Sequence, residues 1–240
     1  MRDYLLDLVQ HTHDLGCIDL IKITGTDAAT AINGLAEDKS VVVEANFHNP
    51  VPEFIGTFGM PNLSKLKILL NLQEYRENAK ITLTKKATGD LDGLNFDNAS
   101  GDFTNSYRFM TTAVVNEKLK TLTFNTPTWH VEFAPTAAAI QKLRMQAQAN
   151  AEHNHFQAKT ENGDLKFFFG DHSTHAGSFV VHSAVGGQLK RAWSWPVTQV
   201  LSILSLTGDK TMRISDDGAM QITVDSGVAV YNYILPAQTK

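Results

Sequence analysis

Asn62-Leu-Ser-Lys-Leu-Lys-Ile-Leu-Leu-Asn-Leu72 and Pro196-Val-Thr-Gln-Val-Leu-Ser-Ile-Leu-Ser-Leu206 are written to one plan. Leu66, Leu69, Leu70 and Leu72 of the first are matched by Val200, Ile203, Leu204 and Leu206 of the second, each pair 134 residues apart. Apolar residues three and four apart mark a helix with one face turned inward. Outward from these segments, Leu6 and Val9 fall on Ile140 and Leu143 at the same separation, so a second pair of helices obeys the same rule. The chain reads as a duplicated domain with two helices in each half. A protein of two like halves is a natural arc of a ring, and a ring can hold a ligand by enclosing it rather than by a pocket.

The remaining elements fit around the four helices. Residues 3–15 read as the first helix, with Leu5, Leu6, Leu8, Val9 and Leu15 on one side, Asp3, Asp7, Gln10 and Asp14 on the other, and Gly16 as its stop. Residues 18–58 alternate as strands, broken at Gly25, Gly34 and 49–52, and Pro61 and Asn62 open the second helix. Strands are expected over 80–85, 91–97, 106–109 and 129–133, and Pro135 and Thr136 start the third helix. Further strands are expected over 155–159, 165–169, 178–183 and 189–194 and, after the fourth helix, over 212–215, 220–225 and 228–235. Residues 111–128 show no clean helical face and read as a connector. The expected architecture is α+β, in two domains of matching topology at 1–110 and 129–240.

Composition narrows the function classes. The 240 residues are 42% hydrophobic and 19% charged, a balance that supports a packed core and argues against disorder. No stretch is long and apolar enough for a membrane span, and no apolar signal core follows Met1, so a cytosolic protein is expected. Cys17 is the sole cysteine, which rules out an internal disulfide or a cysteine-based zinc site and suits a small buried hydrophobe. A net charge of −4 disfavours a generally sticky nucleic-acid binder but allows a locally basic surface.

That surface is sought on the helices. The second helix turns Ser64, Lys67 and Asn71 outward with Lys65 on a flank; the third exposes Gln141, Lys142, Met145 and Gln148 with Arg144 at its edge; the fourth exposes Thr198, Gln199, Ser202 and Ser205. None of these faces carries an acid, whereas ordinary solvated helices mix Glu with Lys. Lysines among short polar side chains suit loose contact with phosphates without base readout. The first helix departs from this pattern through Asp3, Asp7 and Asp14.

With these helices, the strand-rich run between each pair, the connector, and the ending Val228-Ala-Val-Tyr-Asn-Tyr-Ile-Leu-Pro-Ala237, the chain resembles the DNA sliding clamps of the proliferating cell nuclear antigen family, and among them the processivity clamps of T4-like bacteriophages. The resemblance implies a homotrimeric ring that encircles duplex DNA, with helices lining the hole and antiparallel sheets outside. It implies a replicative DNA polymerase and an ATP-driven clamp loader as partners, no cofactor, and the cytoplasm of an infected bacterial host. Carried over by position, the DNA-facing residues are Arg2, Lys65, Lys67, Lys142 and Arg144. The partner groove would be formed by Val114, Val115 and Leu119 of the connector with Ile234, Leu235 and Pro236.

Other readings stay open. A non-catalytic viral ring or scaffold protein would explain the duplication but not the acid-free faces. A His-dependent metal-binding protein is suggested by His11-Thr-His13, His153-Asn-His155 and His172-Ser-Thr-His175, although rings two apart diverge on a helix and no carboxylate completes a site. No phosphate loop, nucleophile elbow or pair of catalytic acids is present, so no residues support an enzyme.

Overall fold

The computed structural model describes residues 1–120, 127–171, 173 and 175–238. In chain order the elements are α1 (Arg2–His11), β1 (Leu20–Gly25), β2 (Thr30–Leu35), β3 (Val42–Phe47), β4 (Gly56–Pro61), α2 (Leu63–Asn71), β5 (Lys80–Lys85), β6 (Leu91–Asp97), β7 (Thr104–Arg108) and α3 (Thr112–Lys118). There follow β8 (Val131–Phe133), α4 (Ala137–Ala149), β9 (His155–Glu161), β10 (Asp164–Phe169), β11 (Gly177–His182), β12 (Ser194–Pro196), α5 (Val197–Leu204), β13 (Asp209–Ser215), β14 (Ala219–Asp225) and β15 (Ala229–Pro236). Two compact units result: Met1–Thr123 with Ser226–Tyr231, and Phe124–Asp225 with Asn232–Lys240.

The first unit places α1 against α2 and builds one sheet in the order β4-β1-β2-β3 and another in the order β5-β6-β7. The second places α4 against α5, with sheets β12-β9-β10-β11 and β8-β13-β14-β15. All registered strand pairs are antiparallel. Strand order is thus the same in both units except for β8, which edges the second unit's β13-β14-β15 and has no counterpart beside β5, and the fold is α+β with two like halves.

The duplication is visible side chain by side chain. Leu63, Leu66, Leu69 and Leu70 of α2 are buried, as are Val197, Val200, Ile203 and Leu204 of α5, so the helices match at a separation of 134. The strands before them match at 135: Ile32 and Phe167 are buried, as are Ile21 and Phe156. A one-residue slip reverses the face a strand side chain occupies, so the extra residue lies between helix and strand rather than within either. After α2 and α5 the separation shrinks, to 129 at the starts of β5 and β13 (Lys80, Asp209) and 125 at those of β7 and β15 (Thr104, Ala229). One cause is the turn 98–103, which is longer than its counterpart 226–228. Asn98 builds it, accepting from the backbone N–H of Gly101 and Phe103 and donating to Glu74 and Asp102.

Three expectations need correction. The first helix ends at His11 rather than at residue 15. Thr12 turns its hydroxyl back onto the Leu8 carbonyl at 2.6 Å, and a 3-10 turn, His13–Leu15, leads into Gly16 at φ +81°. Residues 189–193 do not form a strand: the backbone N–H groups of Lys190 and Arg191 both donate to the Asp216 carboxylate at 2.8 Å, leaving β12 to begin at Ser194. Within 111–128, residues 112–118 are helical. α3 stands over β4 at Gly59, where an added Cβ would come within 2.8 Å of Val115. Residues 121–126 of that connector lie outside the described residues.

Candidate nucleic-acid interface

None of α2, α4 and α5 contains an Asp or a Glu. Lys65 and Lys67 are exposed on α2, and Lys142 and Arg144 on α4. Each helix is positioned by its apolar stripe and by its start. α4 begins at Thr136, whose hydroxyl accepts from the Ala139 N–H at 3.1 Å. α2 begins at Asn62, which sits at φ +51° and supplies no side-chain cap. Asp19 takes that role from the strand side, its carboxylate accepting from Ser64 N–H at 3.2 Å and its carbonyl from Leu63 N–H at 3.3 Å. The carboxylate also suits the positive end of the helix.

The five basic candidates differ in their surroundings. The side chains of Lys65 and Lys142 make no ion pair or hydrogen bond among the described residues. Lys67 places Nζ 2.8 Å from Oδ1 of Asp14, in the turn after α1. Arg144 donates from Nη2 to the Ser205 hydroxyl at 2.7 Å, bridging α4 to the end of α5. Arg2 is half-buried and donates from Nη2 to the Leu70 carbonyl at 2.7 Å, while its Nη1 is buried without a partner among the described residues. Arg2 therefore caps the carbonyl end of α2, where a cation is favoured.

Of the acids charged against the first helix, Asp3 is exposed, but Asp7 is not on the outer face. Its side chain is only 10% exposed; Oδ2 accepts from the Tyr231 hydroxyl at 2.7 Å, and Oδ1 lies 3.3 Å from Nδ1 of His11. Burial works to raise its pKa, but the hydrogen bonds of His11 and Tyr231 outweigh that and hold the carboxyl below its usual range. His11 stacks on Tyr231 with ring centroids 4.7 Å apart. The first helix is thus less acidic toward solvent than its sequence suggests, because a residue 224 positions away covers Asp7.

The groove candidates are mostly interior. Val115, Leu119, Ile234 and Leu235 are buried, Val115 and Leu235 completely; Val114 and Pro236 are exposed. Leu119 forms the wall of a small pocket on the first unit, together with Lys22, Asn33, Leu35, Val42 and Glu44. Lys22, Asn33 and Glu44 are direct cross-strand neighbours on β1, β2 and β3, so the pocket combines a polar row with an aliphatic rim.

His11 and His13 turn to different partners. His13 turns to Asp19 at 3.4 Å while His11 is buried beside Asp7. His153 places Nε2 3.0 Å from the His175 carbonyl, and His172 lies outside the described residues. Among the described residues no group of three or more His, Cys, Asp or Glu is placed to hold a metal ion, and no helix is long and apolar enough to cross a membrane.

Sequence reasoning passed over Asp19 as the cap of α2, and it passed over Arg76 and Lys210. Arg76 follows the 3-10 turn after α2, and Lys210 lies at the start of β13, after α5. Arg76 donates to the Asn71 carbonyl at 3.3 Å and Lys210 to that of Gly208 at 2.8 Å. Burial lowers the Lys210 pKa, against the opposing pull of Asp209.

No protein-family model matches the sequence, and no curated protein matches it. Solved structures do. A chain in a structure described as the C-terminal region of FEN-1 bound to A. fulgidus PCNA superposes with a TM-score of 0.71 at 9% identity, covering 98% of this chain and 96% of that one. PCNA from Thermococcus kodakaraensis gives 0.67 at 13% identity, covering 99% and 97%. The fold of this chain is that of the PCNA-type sliding clamps along its whole length.

Proposed function

We propose that this protein is a sliding clamp: a DNA polymerase processivity factor that closes as a homotrimeric ring around duplex DNA, in the manner of the T4-like bacteriophage clamps. The observation that carries the reading is the absence of carboxylates from α2, α4 and α5 in a chain of net charge −4, with Lys65, Lys67, Lys142 and Arg144 on their exposed sides. Acids are abundant in this sequence and excluded from three helices that the clamp fold uses to face DNA. Contact with phosphates alone is indifferent to base sequence, and retention then comes from ring closure rather than affinity.

The activity is binding, without a catalytic step or a cofactor. The partners are double-stranded DNA, the replicative polymerase, an ATP-driven loader and further copies of the chain, in the cytoplasm of an infected bacterium. On the first unit, Val114 is exposed and Leu119 lines a pocket open to a partner peptide; on the second, Pro236 is exposed and Ile234 and Leu235 are buried. One solved neighbour is described as bound to the C-terminal region of FEN-1, which fits a docking role of this kind.

Light scattering on the purified chain tests the ring. A mass three times the 26.4 kDa of one chain is expected. A monomer at every concentration would overturn the homotrimer.

A further inference from the structure

The four exposed basic residues are not equally available. Lys65 and Lys142 are unpaired among the described residues, Arg144 is held by a neutral hydroxyl, and Lys67 alone is held by a carboxylate, 2.8 Å from Asp14. Both members of that pair stand in solvent, with side chains 48% and 33% exposed. Such a pair contributes little to stability, so it can open when a stronger anion arrives. Asp14 is held in place by a stiff turn rather than by chance: Thr12 bonds back to Leu8, His13 to Leu15 form the 3-10 turn, and Gly16 closes it in the left-handed region. The turn is fixed beside α2 by His13, which faces Asp19, the residue that caps that helix.

Resting on the sliding-clamp reading, we propose that Asp14 is a tuning residue for DNA contact: it competes with phosphate for Lys67 and weakens the hold of the first unit on the duplex. A DNA phosphate that draws Lys67 away leaves the Asp14 carboxylate unpaired, and that carboxylate takes up a cation from solution. Part of the counterion release that drives binding is cancelled. The remaining phosphate contact of the helix, Lys65, is unaffected. A clamp must be held loosely enough to slide, and a carboxylate placed against one lysine achieves this without removing the positive charge that attracts DNA.

The test compares wild type, Asp14→Asn, Lys67→Gln and the double variant for binding to a short linear duplex across 50–200 mM salt, after light scattering and thermal melting show intact assembly. Asp14→Asn should bind about two- to fivefold more tightly per engaged chain, the range expected for releasing an exposed ion pair. Its log–log salt slope should be steeper by up to about 0.9 per engaged chain. Both gains should vanish in the Lys67→Gln background. Unchanged affinity and slope in Asp14→Asn would overturn the proposal, and so would an equal gain with Lys67 removed, since the effect would then be general charge rather than competition. Asp14→Ser serves in place of Asp14→Asn if the amide variant misfolds. Equal loss of wild type from end-blocked and open-ended duplex would overturn the clamp reading itself, a result separable from either failure.

Discussion

Replacing Lys65 and Lys142 together by Gln should flatten the salt dependence of DNA binding without disturbing assembly. Both side chains are exposed on helices free of acids, and neither has a partner among the described residues that its loss would orphan. Each is available to neutralise one phosphate, so the pair should contribute about 1.8 to the slope of log K against log salt for each engaged chain. Over a fourfold rise in salt, from 50 to 200 mM, wild type should lose about twelvefold more affinity per engaged chain than the variant. Fluorescence anisotropy of a labelled 30-base-pair duplex reads both quantities. Equal slopes for the two proteins would refute the assignment of these lysines to the DNA side. Loss of the oligomer in the variant would place them in an interface instead.

Other outcomes follow from the packing. Leu69→Ala and Ile203→Ala, at matching positions of α2 and α5, should each cost about 2–5 kcal/mol, measured by urea unfolding; a negligible cost for either would break the equivalence of the two cores. Gly59→Ala should destabilise by about 1–3 kcal/mol, because its Cβ would come within 3.0 Å of Val115 and Met110 and push α3 off β4. An unchanged melting temperature would mean that α3 yields freely. Tyr231→Phe removes a hydrogen bond to ionised Asp7, a loss of about 1.5–3 kcal/mol at neutral pH. The folded pKa of Asp7 lies below its ordinary 3.8, so its contribution is present above 3.8 and fades as pH falls through the lower folded value. The stability gap between wild type and Tyr231→Phe should therefore narrow in acid; a gap that widens there contradicts the network.

The repeat was legible because burial on α2 and α5 is dictated by the same spacing, and Leu66 and Val200 occupy the same place for the same reason. The start of α4 was legible because Pro135 and Thr136 carry their signal locally. What escaped depended on distant partners. Asp7 looks exposed on any helical projection, and only the hydroxyl of Tyr231 shows otherwise. α3 is seven residues long, too short for a periodic pattern, and its anchor is a glycine on another strand. Residues 189–193 alternate like a strand, yet their N–H groups go to the Asp216 carboxylate. The exposure of Lys65, Lys67, Lys142 and Arg144 was legible from the helix faces, but their unequal surroundings were not: Asp14 lies 53 positions from Lys67, and a turn rather than a helix brings it there.

Topological retention is the core of the proposed function and can be measured without a loader. The protein is threaded at high concentration onto a linear duplex, both DNA ends are blocked by bound protein caps, and the complex is challenged with 1 M salt. Retention on end-blocked DNA and loss from open-ended DNA is the predicted result. Equal loss from both would show that the chain holds DNA by surface contact alone and would contradict the clamp.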